Sequence, residues 1–285
     1  MNTMWMPARH DPLPFADTFA QALKLLGDSR LAMRVGALYA LEALGEHERR
    51  GRPAIVDVIC AYLRTPPQPG DAAARAVAQR VLADRLRPHQ GAYWSGVDVD
   101  LSHAVLSDFD MSGCRFDGGL RMDHAVFVGQ ARLRGAVVRA GASLNGARFH
   151  DHAWFERTAF HGPVHLRAVA FGGDAWFGET TFADGATFAG ATFDGHAWFA
   201  GATFHGPVHF EQAVFRRSAG FRGAVAHGDV GLSGTTFLGT ARVSRRDEHW
   251  NISAPGWRVV VDPDNEAVGQ LLWVGHPELV SGSTP

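Results

Sequence analysis

The chain has 285 residues, and its 27 Lys and Arg offset 29 Asp and Glu to leave a formal charge of −2. That balance argues against a nucleic-acid-binding protein, which a strongly basic surplus would announce, and against a globally acidic one. The two cysteines, Cys60 and Cys114, lie in unrelated contexts without metal-ligand spacing, which fits a reducing compartment. The start, MNTMWMPARHDPLP, carries no basic region followed by an apolar run, and no stretch approaches the roughly 20 apolar residues that span a bilayer. The expected location is cytoplasmic, with no transmembrane segment.

Residues 1–90 read as an α-helical N-terminal domain. FADTFAQALKLLG, SRLAMRVGALYALEALGE, PAIVDVICAYLR and DAAARAVAQRVLADRL each carry apolar residues at helical spacing. Breaks are expected at Gly27, at Arg52–Pro53 and over Pro66–Gly70, with Asp71 and Asp28 or Ser29 as N-caps.

Residues 97–245 are different. Large apolar residues fall at Leu144, Phe149, Phe155, Phe160, Leu166, Phe171, Phe177, Phe182, Phe188, Phe193, Phe199, Phe204, Phe210, Phe215 and Phe221, at steps of five and six in strict alternation. Two residues before each stands a small or β-branched residue, such as Ala153, Thr158 or Val164. Residues i and i−2 of a strand share a face, so each unit sends one small and one large side chain inward and then turns a corner. A helix with 3.6 residues per turn cannot gather these spacings on one face. A coil with four short sides can, at 22 residues per turn. The outward positions agree, because Trp154, Trp176 and Trp198 recur every 22 residues while His165, Thr187 and His209 fill the alternate slots. About seven coils stacked at 4.8 Å make a rod roughly 30–35 Å long. Before Met122 the centres Leu101, Leu106, Met111 and Phe116 are spaced by five alone.

The segment VDVDLSHAVLSDFDMSGCRF at 97–116 resembles the A-(D/N)-L-x-x motif of the pentapeptide-repeat family, and the Phe-rich stretch resembles its Phe-centred variant. The resemblance implies a mainly β fold, the right-handed quadrilateral β-helix, and the six-residue units imply wider or bulged corners on alternate sides. It also implies a non-enzymatic scaffold that binds a protein partner or a second copy of itself. The alternative that the family suggests is mimicry of duplex DNA and binding to DNA gyrase, with protection from topoisomerase inhibitors. Direct nucleic-acid binding is not expected. The helical module around LAMRVGALYALEAL is similar to one that accompanies membrane helices in some members of that family.

Solenoid ends need caps. Beyond the repeat, residues 248–285 are expected to form a C-terminal cap and tail, with strands at 257–261 and 270–274 joined by DPDNEAVG.

The candidate interface residues are Trp154, Trp176, Trp198, His165 and His209. A column of indoles makes an apolar patch of the kind that marks interfaces, unless the helical domain folds back and covers it. His161, His165, His205 and His209 repeat across two coils, but stacked copies about 10 Å apart cannot share an ion that needs ligands at about 2.0–2.1 Å. Asp98, Asp100, Asp108, Asp110, Asp117 and Asp123 cluster early, and Arg132, Arg134, Arg139, Arg148, Arg157 and Arg167 follow. No nucleophile elbow, Walker loop, dinucleotide fingerprint or H-E-x-x-H is present. No catalytic, cofactor or metal site is assigned.

Overall fold

The computed structural model describes residues 15–88, 93–244, 257–262 and 265–273, with the chain from 243 onward described by its backbone. It begins with four helices, α1 (Phe15–Leu26), α2 (Leu31–His47), α3 (Arg52–Arg64) and α4 (Ala72–Leu86). Their shared interior is built from the periodic apolar residues, with Leu38, Leu41, Ile59, Leu63 and Leu82 fully buried. The N-caps differ from expectation. Arg30 rather than Asp28 or Ser29 precedes α2, and Asp28 instead accepts from the Arg30 backbone N–H at 2.8 Å. Asp71 stands at the N-cap of α4 but makes no side-chain cap bond. Its carboxylate is drawn inward, where the Tyr62 hydroxyl donates to it and Arg34 approaches at 3.4 Å.

From Val99 the chain winds through strands of mostly two residues that form four parallel sheets. One face holds Ala131–Arg132, Ala153–Trp154, Ala175–Trp176, Ala197–Trp198, Ala219–Phe221 and Ala241–Ser244. The face opposite, two sides further round each coil, runs from Val99–Asp100 through Val164–His165 and Val208–His209 to Val230–Gly231. The remaining faces run from Val105–Ser107 to Thr236–Phe237 and from Arg115–Phe116 to Val225–Ala226. The register advances by 22, as in Trp154↔Trp176↔Trp198. In the first coil it advances by 21, pairing Val99 with Leu120 and Leu106 with Phe127, because three successive five-residue steps there precede the first step of six.

The two unit lengths make two kinds of corner. Within most five-residue steps the chain closes a turn, as between Phe155 and Phe160, where Thr158 N–H donates to Phe155 O at 3.0 Å and the third residue of the turn, Arg157, has φ 57°. The six-residue corners are wider bends, and there the coils approach closely. A Cβ on Gly195 would stand 2.4 Å from the carbonyl carbon of Gly173 in the coil before, so that corner admits only glycine. The inward rings form continuous stacks. Phe155, Phe177 and Phe199 follow one another at 4.8 Å centroid spacing and within 3° of parallel. Neighbouring columns meet edge to face, as Phe177 meets Phe188 at 5.5 Å and 88°. Each buried Phe contributes on the order of 1.5–3 kcal/mol. Thr158, Thr180 and Thr235, buried at the small inward position, donate their hydroxyls to carbonyls such as Leu133 O at 2.8 Å.

The helices sit on the starting edge of the coil stack. A first coil exposes a ring of carbonyls with no coil beneath to bond them. Side chains of the helical segment reach them one after another: Arg64 donates to Asp100 O at 3.0 Å, Arg75 to Val105 O at 2.9 Å and Gln79 to Ser107 O at 3.3 Å. Arg87 then donates to Asp110 O at 3.3 Å and Ser112 O at 3.0 Å, and Tyr93 to Arg115 O at 3.2 Å. At the other end, strands Trp257–Asp262 and Asn265–Trp273 form an antiparallel hairpin. The second strand also pairs antiparallel with Ala241–Ser244, so the hairpin extends the tryptophan-bearing sheet. That strand starts earlier than the sequence reading placed it, because it serves two neighbours and 265–269 belong to it rather than to a loop; Val274 lies outside the described residues. No helix among the described residues is long and apolar enough to cross a membrane.

Candidate interaction face

In each A-x-F unit the middle residue must point away from the core, since its neighbours on either side point in. Ala153 and Phe155 are buried and Trp154 between them is half-buried, and the same holds for Trp176 and Trp198. The indoles stack on one another as the coils do. Trp154 and Trp176 lie 5.1 Å apart and 4° from parallel, and Trp176 and Trp198 lie 5.6 Å apart at 26°. They form a ladder whose ring edges face outward.

Its margins are polar. The Arg134 guanidinium lies 5.1 Å from the Trp154 ring centroid and pairs with Glu156 one coil on; Arg157 meets Glu179 in the same manner at 2.9 Å. On the other margin Asp174 N–H donates to His152 Nδ1 at 3.0 Å and His196 N–H to Asp174 Oδ1 at 2.7 Å. His196 also lies along Trp198, with centroids 5.5 Å apart. Three polar atoms of this margin are buried without a hydrogen-bond partner: Trp154 Nε1, Trp198 Nε1 and His196 Nδ1. Hydrogen bonds from the helical segment to the solenoid reach residues 100–117, while the ladder starts at Trp154. Among the described residues the helical segment thus docks on the rod's end and not along the indoles.

The histidines lie elsewhere. His165, Thr187 and His209 are in register on the opposite face, so the structure separates them from the tryptophans. Together with Arg167 and Glu211 they line a shallow groove of about 500 Å³, and His209 Nδ1 contacts Glu211 Oε1 at 2.9 Å. His205 stacks on His227 at 5.2 Å, a neighbour that the pairing of His161 with His205 overlooked. Among the described residues no group of three or more His, Cys, Asp or Glu side chains converges as metal ligands.

Four of the six early aspartates are held within the chain, while Asp108 and Asp110 are exposed. Asp98 accepts from Gly119 N–H at 2.7 Å, Asp123 from Asn145 N–H at 2.7 Å, and Asp100 faces Arg64 at 3.1 Å. Asp117 lies beside Arg115, Arg139 and the Tyr93 hydroxyl. Partial burial raises its pKa, but those hydrogen bonds and charges outweigh burial and hold the carboxyl below its ordinary value. Asp100 is lowered against the same opposing burial by Ser102, Arg64 and Arg121. Burial pushes both thiols, Cys60 and Cys114, up to about 12, which makes them inert at neutral pH.

Sequence spacing found the ladder but not its setting. The guanidinium over Trp154, the orphaned polar atoms and the carbonyl clamps depend on side-chain reach across coils, for which the sequence has no periodic mark. The family description "Pentapeptide repeats (9 copies)" matches at 101–148, 112–159, 123–169, 155–203 and 199–245. No curated protein and no solved structure gives a match. The matches together run from residue 101 to 245, just over half of the chain, and coincide with the parallel coils; the chain belongs to the pentapeptide-repeat family.

Proposed function

We propose that this protein is a non-enzymatic interaction scaffold that docks a protein partner on its tryptophan face. The carrying observation is the ladder itself: three stacked, half-buried indoles outside a core that is already closed by its own phenylalanines. The core does not need them, since Phe155, Phe177 and Phe199 fill the interior at the same level. Aromatic residues gathered on one face with polar margins are the composition of an interface centre and rim. The filled interior favours outer surfaces over an internal pocket as the working part. DNA mimicry draws less support, because four of the six aspartates that would supply a phosphate-like row are engaged by Arg64, Arg115 and backbone N–H groups of this same chain.

The test is a parallel capture from cell extract with the unmodified protein and with Trp154→Ala/Trp176→Ala/Trp198→Ala, both verified as folded by circular dichroism. Sedimentation of each reports self-association. A partner or a second copy lost only in the variant supports the face. Equal recovery with both sinks it, and recovery of DNA gyrase with both would turn the reading to mimicry.

A further inference from the structure

The ladder stops abruptly, and the way it stops marks a site. The slot above Trp198 belongs to Gly220, which pairs in register with Trp198 below and with Arg242 above. The backbones of Trp198 and Arg242 are therefore two coil steps apart, about 9.6 Å, the rise that one more flat group would take once Trp198 lies parallel to its neighbour. At the lower end no such gap exists, because Arg134 lies directly over Trp154 at 5.1 Å. The missing rung also shows in Trp198. It departs 26° from its neighbour where the pair below departs 4°. It leans into the slot over Gly220, where a Cβ would lie 2.9 Å from its Cε3, so a ring that enters the slot must first turn this indole back parallel to Trp176.

The surroundings are basic. Arg217 and Arg222 occupy the two corners that flank Gly220, and both are exposed, as is Arg242. Among the described residues none of the three is in an ion pair, whereas the adjacent Arg216 holds Asp194 at 2.7 Å. The terminal rung also carries two polar atoms without partners, the donor Trp198 Nε1 and the imidazole nitrogen His196 Nδ1. A peptide unit has the matching C=O and N–H.

We propose that the open rung at Gly220 receives an aromatic side chain from an acidic peptide segment of a partner protein, which completes the ladder between Trp198 and Arg242. An aromatic ring suits the gap better than an aliphatic chain, because one side offers a stacking indole and the other a cation for its π-face. Acidic flanks complement Arg217, Arg222 and Arg242, and orphaned polar atoms beside the gap favour a polypeptide over a bare ring. The inference rests on reading the tryptophan face as an interaction surface, and narrows it to one end of the ladder and one ligand chemistry.

The test uses the full chain and a synthetic acetylated, amidated peptide Glu-Asp-Phe-Glu-Asp, followed by the indole N–H signals in NMR with Trp198→Phe as the assignment control. The expected result is saturable binding with the largest shift at Trp198. Affinity should fall about tenfold when the peptide's Phe is replaced by Ala, the scale of one stacking and cation–π contact. It should fall similarly in Arg222→Gln/Arg242→Gln, and binding should vanish in Gly220→Trp, whose own indole closes the rung. Absence of saturable binding, equal affinity of the Ala peptide, or undiminished binding by Gly220→Trp overturns the proposal. So does adenosine monophosphate that binds at Trp198 as tightly as the peptide, which would mark a nucleotide site. The broader reading is separable through Trp154→Ala/Trp176→Ala, which leaves the open rung intact. If that variant loses partner capture while the peptide never binds, the face stands and the rung fails.

Discussion

The junction between helices and solenoid depends most on Arg75, and removing it is a demanding test of how the rod's starting edge is closed. Arg75 is 5% exposed. Its guanidinium donates to Leu63 O, to Thr65 O at 3.0 Å and to Val105 O at 2.9 Å, with Asp71 at 3.8 Å. Arg75→Leu keeps much of the apolar stem's packing but strands those carbonyls in a dry interface. Each buried acceptor left without a donor costs about 1–3 kcal/mol, and breaking a buried charged arrangement typically costs about 3–5 kcal/mol. The residual pairing of Asp71 with Arg34 and Tyr62 keeps the total near the lower end, about 3–4 kcal/mol. Urea unfolding followed by far-ultraviolet circular dichroism measures this, and hydrogen exchange locates it. Protection should drop first in α4 and in the edge strand Val105–Ser107 and last in the middle coils. Glu179→Gln serves as the control, because its partner Arg157 is 70% exposed at the side chain; exposed ion pairs contribute little and the midpoint should not move. A loss below about 1 kcal/mol for Arg75→Leu would refute the clamp.

Other perturbations probe other parts of the rod. Phe177→Ala removes a ring stacked at 4.8 Å on both Phe155 and Phe199, and should cost about 3–5 kcal/mol in denaturant unfolding because a stacked column cannot collapse into the hole. Gly195→Ala places a Cβ 2.4 Å from backbone of the preceding coil, so its melting temperature should fall clearly. Ala168→Gly should leave stability unchanged or raise it by up to about 1 kcal/mol, because Ala168 has φ 53° and glycine relieves that strain at some cost in chain entropy. For acid, Asp100 and Asp117 both have folded pKa values held below 3.8. Their stabilisation is complete above the unfolded value and is lost as pH falls through the folded one. A urea midpoint measured from pH 6 downward should therefore stay level from this source until about pH 4 and then decline.

The solenoid was legible because its rule is local and repeated. One inward large residue every five or six positions fixes the strand, the corner and the coil length together, and the Trp154–Trp176–Trp198 spacing shows the 22-residue turn directly. Even the 21-residue first coil is visible in the run of Leu101, Leu106, Met111 and Phe116, once the register of Leu106 with Phe127 is known. The helices were legible as elements, and their caps were not. An Asp before a helix satisfies the N-cap pattern, but the choice between capping and a tertiary partner depends on what packs against it. Asp71 meets Tyr62 and Arg34, and they draw the carboxylate away from the helix end. The separation of the histidines, by contrast, follows from the 22-residue turn itself. Alternate 11-residue units lie on opposite faces, so His165 and His209 share a slot with the tryptophans in the sequence and the far side of the rod in space.

The two ends of the rod are closed by different means, and this bears on where binding can occur. At the start, guanidinium and amide groups satisfy the carbonyl ring without adding another parallel strand. At the finish, an antiparallel strand meets Ala241–Ser244 and reverses the direction that another coil would have to follow. Among the described residues only the tryptophan-bearing sheet is covered in this way, and Val225–Ala226, Val230–Gly231 and Thr236–Phe237 are the last strands of the other three sheets. Two of the other sides mix Val and Ala with Thr and Arg at their outward positions, as Val126, Arg148, Ala170 and Thr192 do, and the third is mainly polar, with Ser143, His165 and Thr187. The fourth presents three stacked indoles and then a glycine. Each coil there contributes about 4.8 Å of height, so a docked segment that follows the ladder lies along the rod axis and passes Gly220 before it reaches the hairpin. Side-on docking on that face and a ring set into the Gly220 gap thus demand the same approach direction, and a partner peptide satisfies both without any change in the coils.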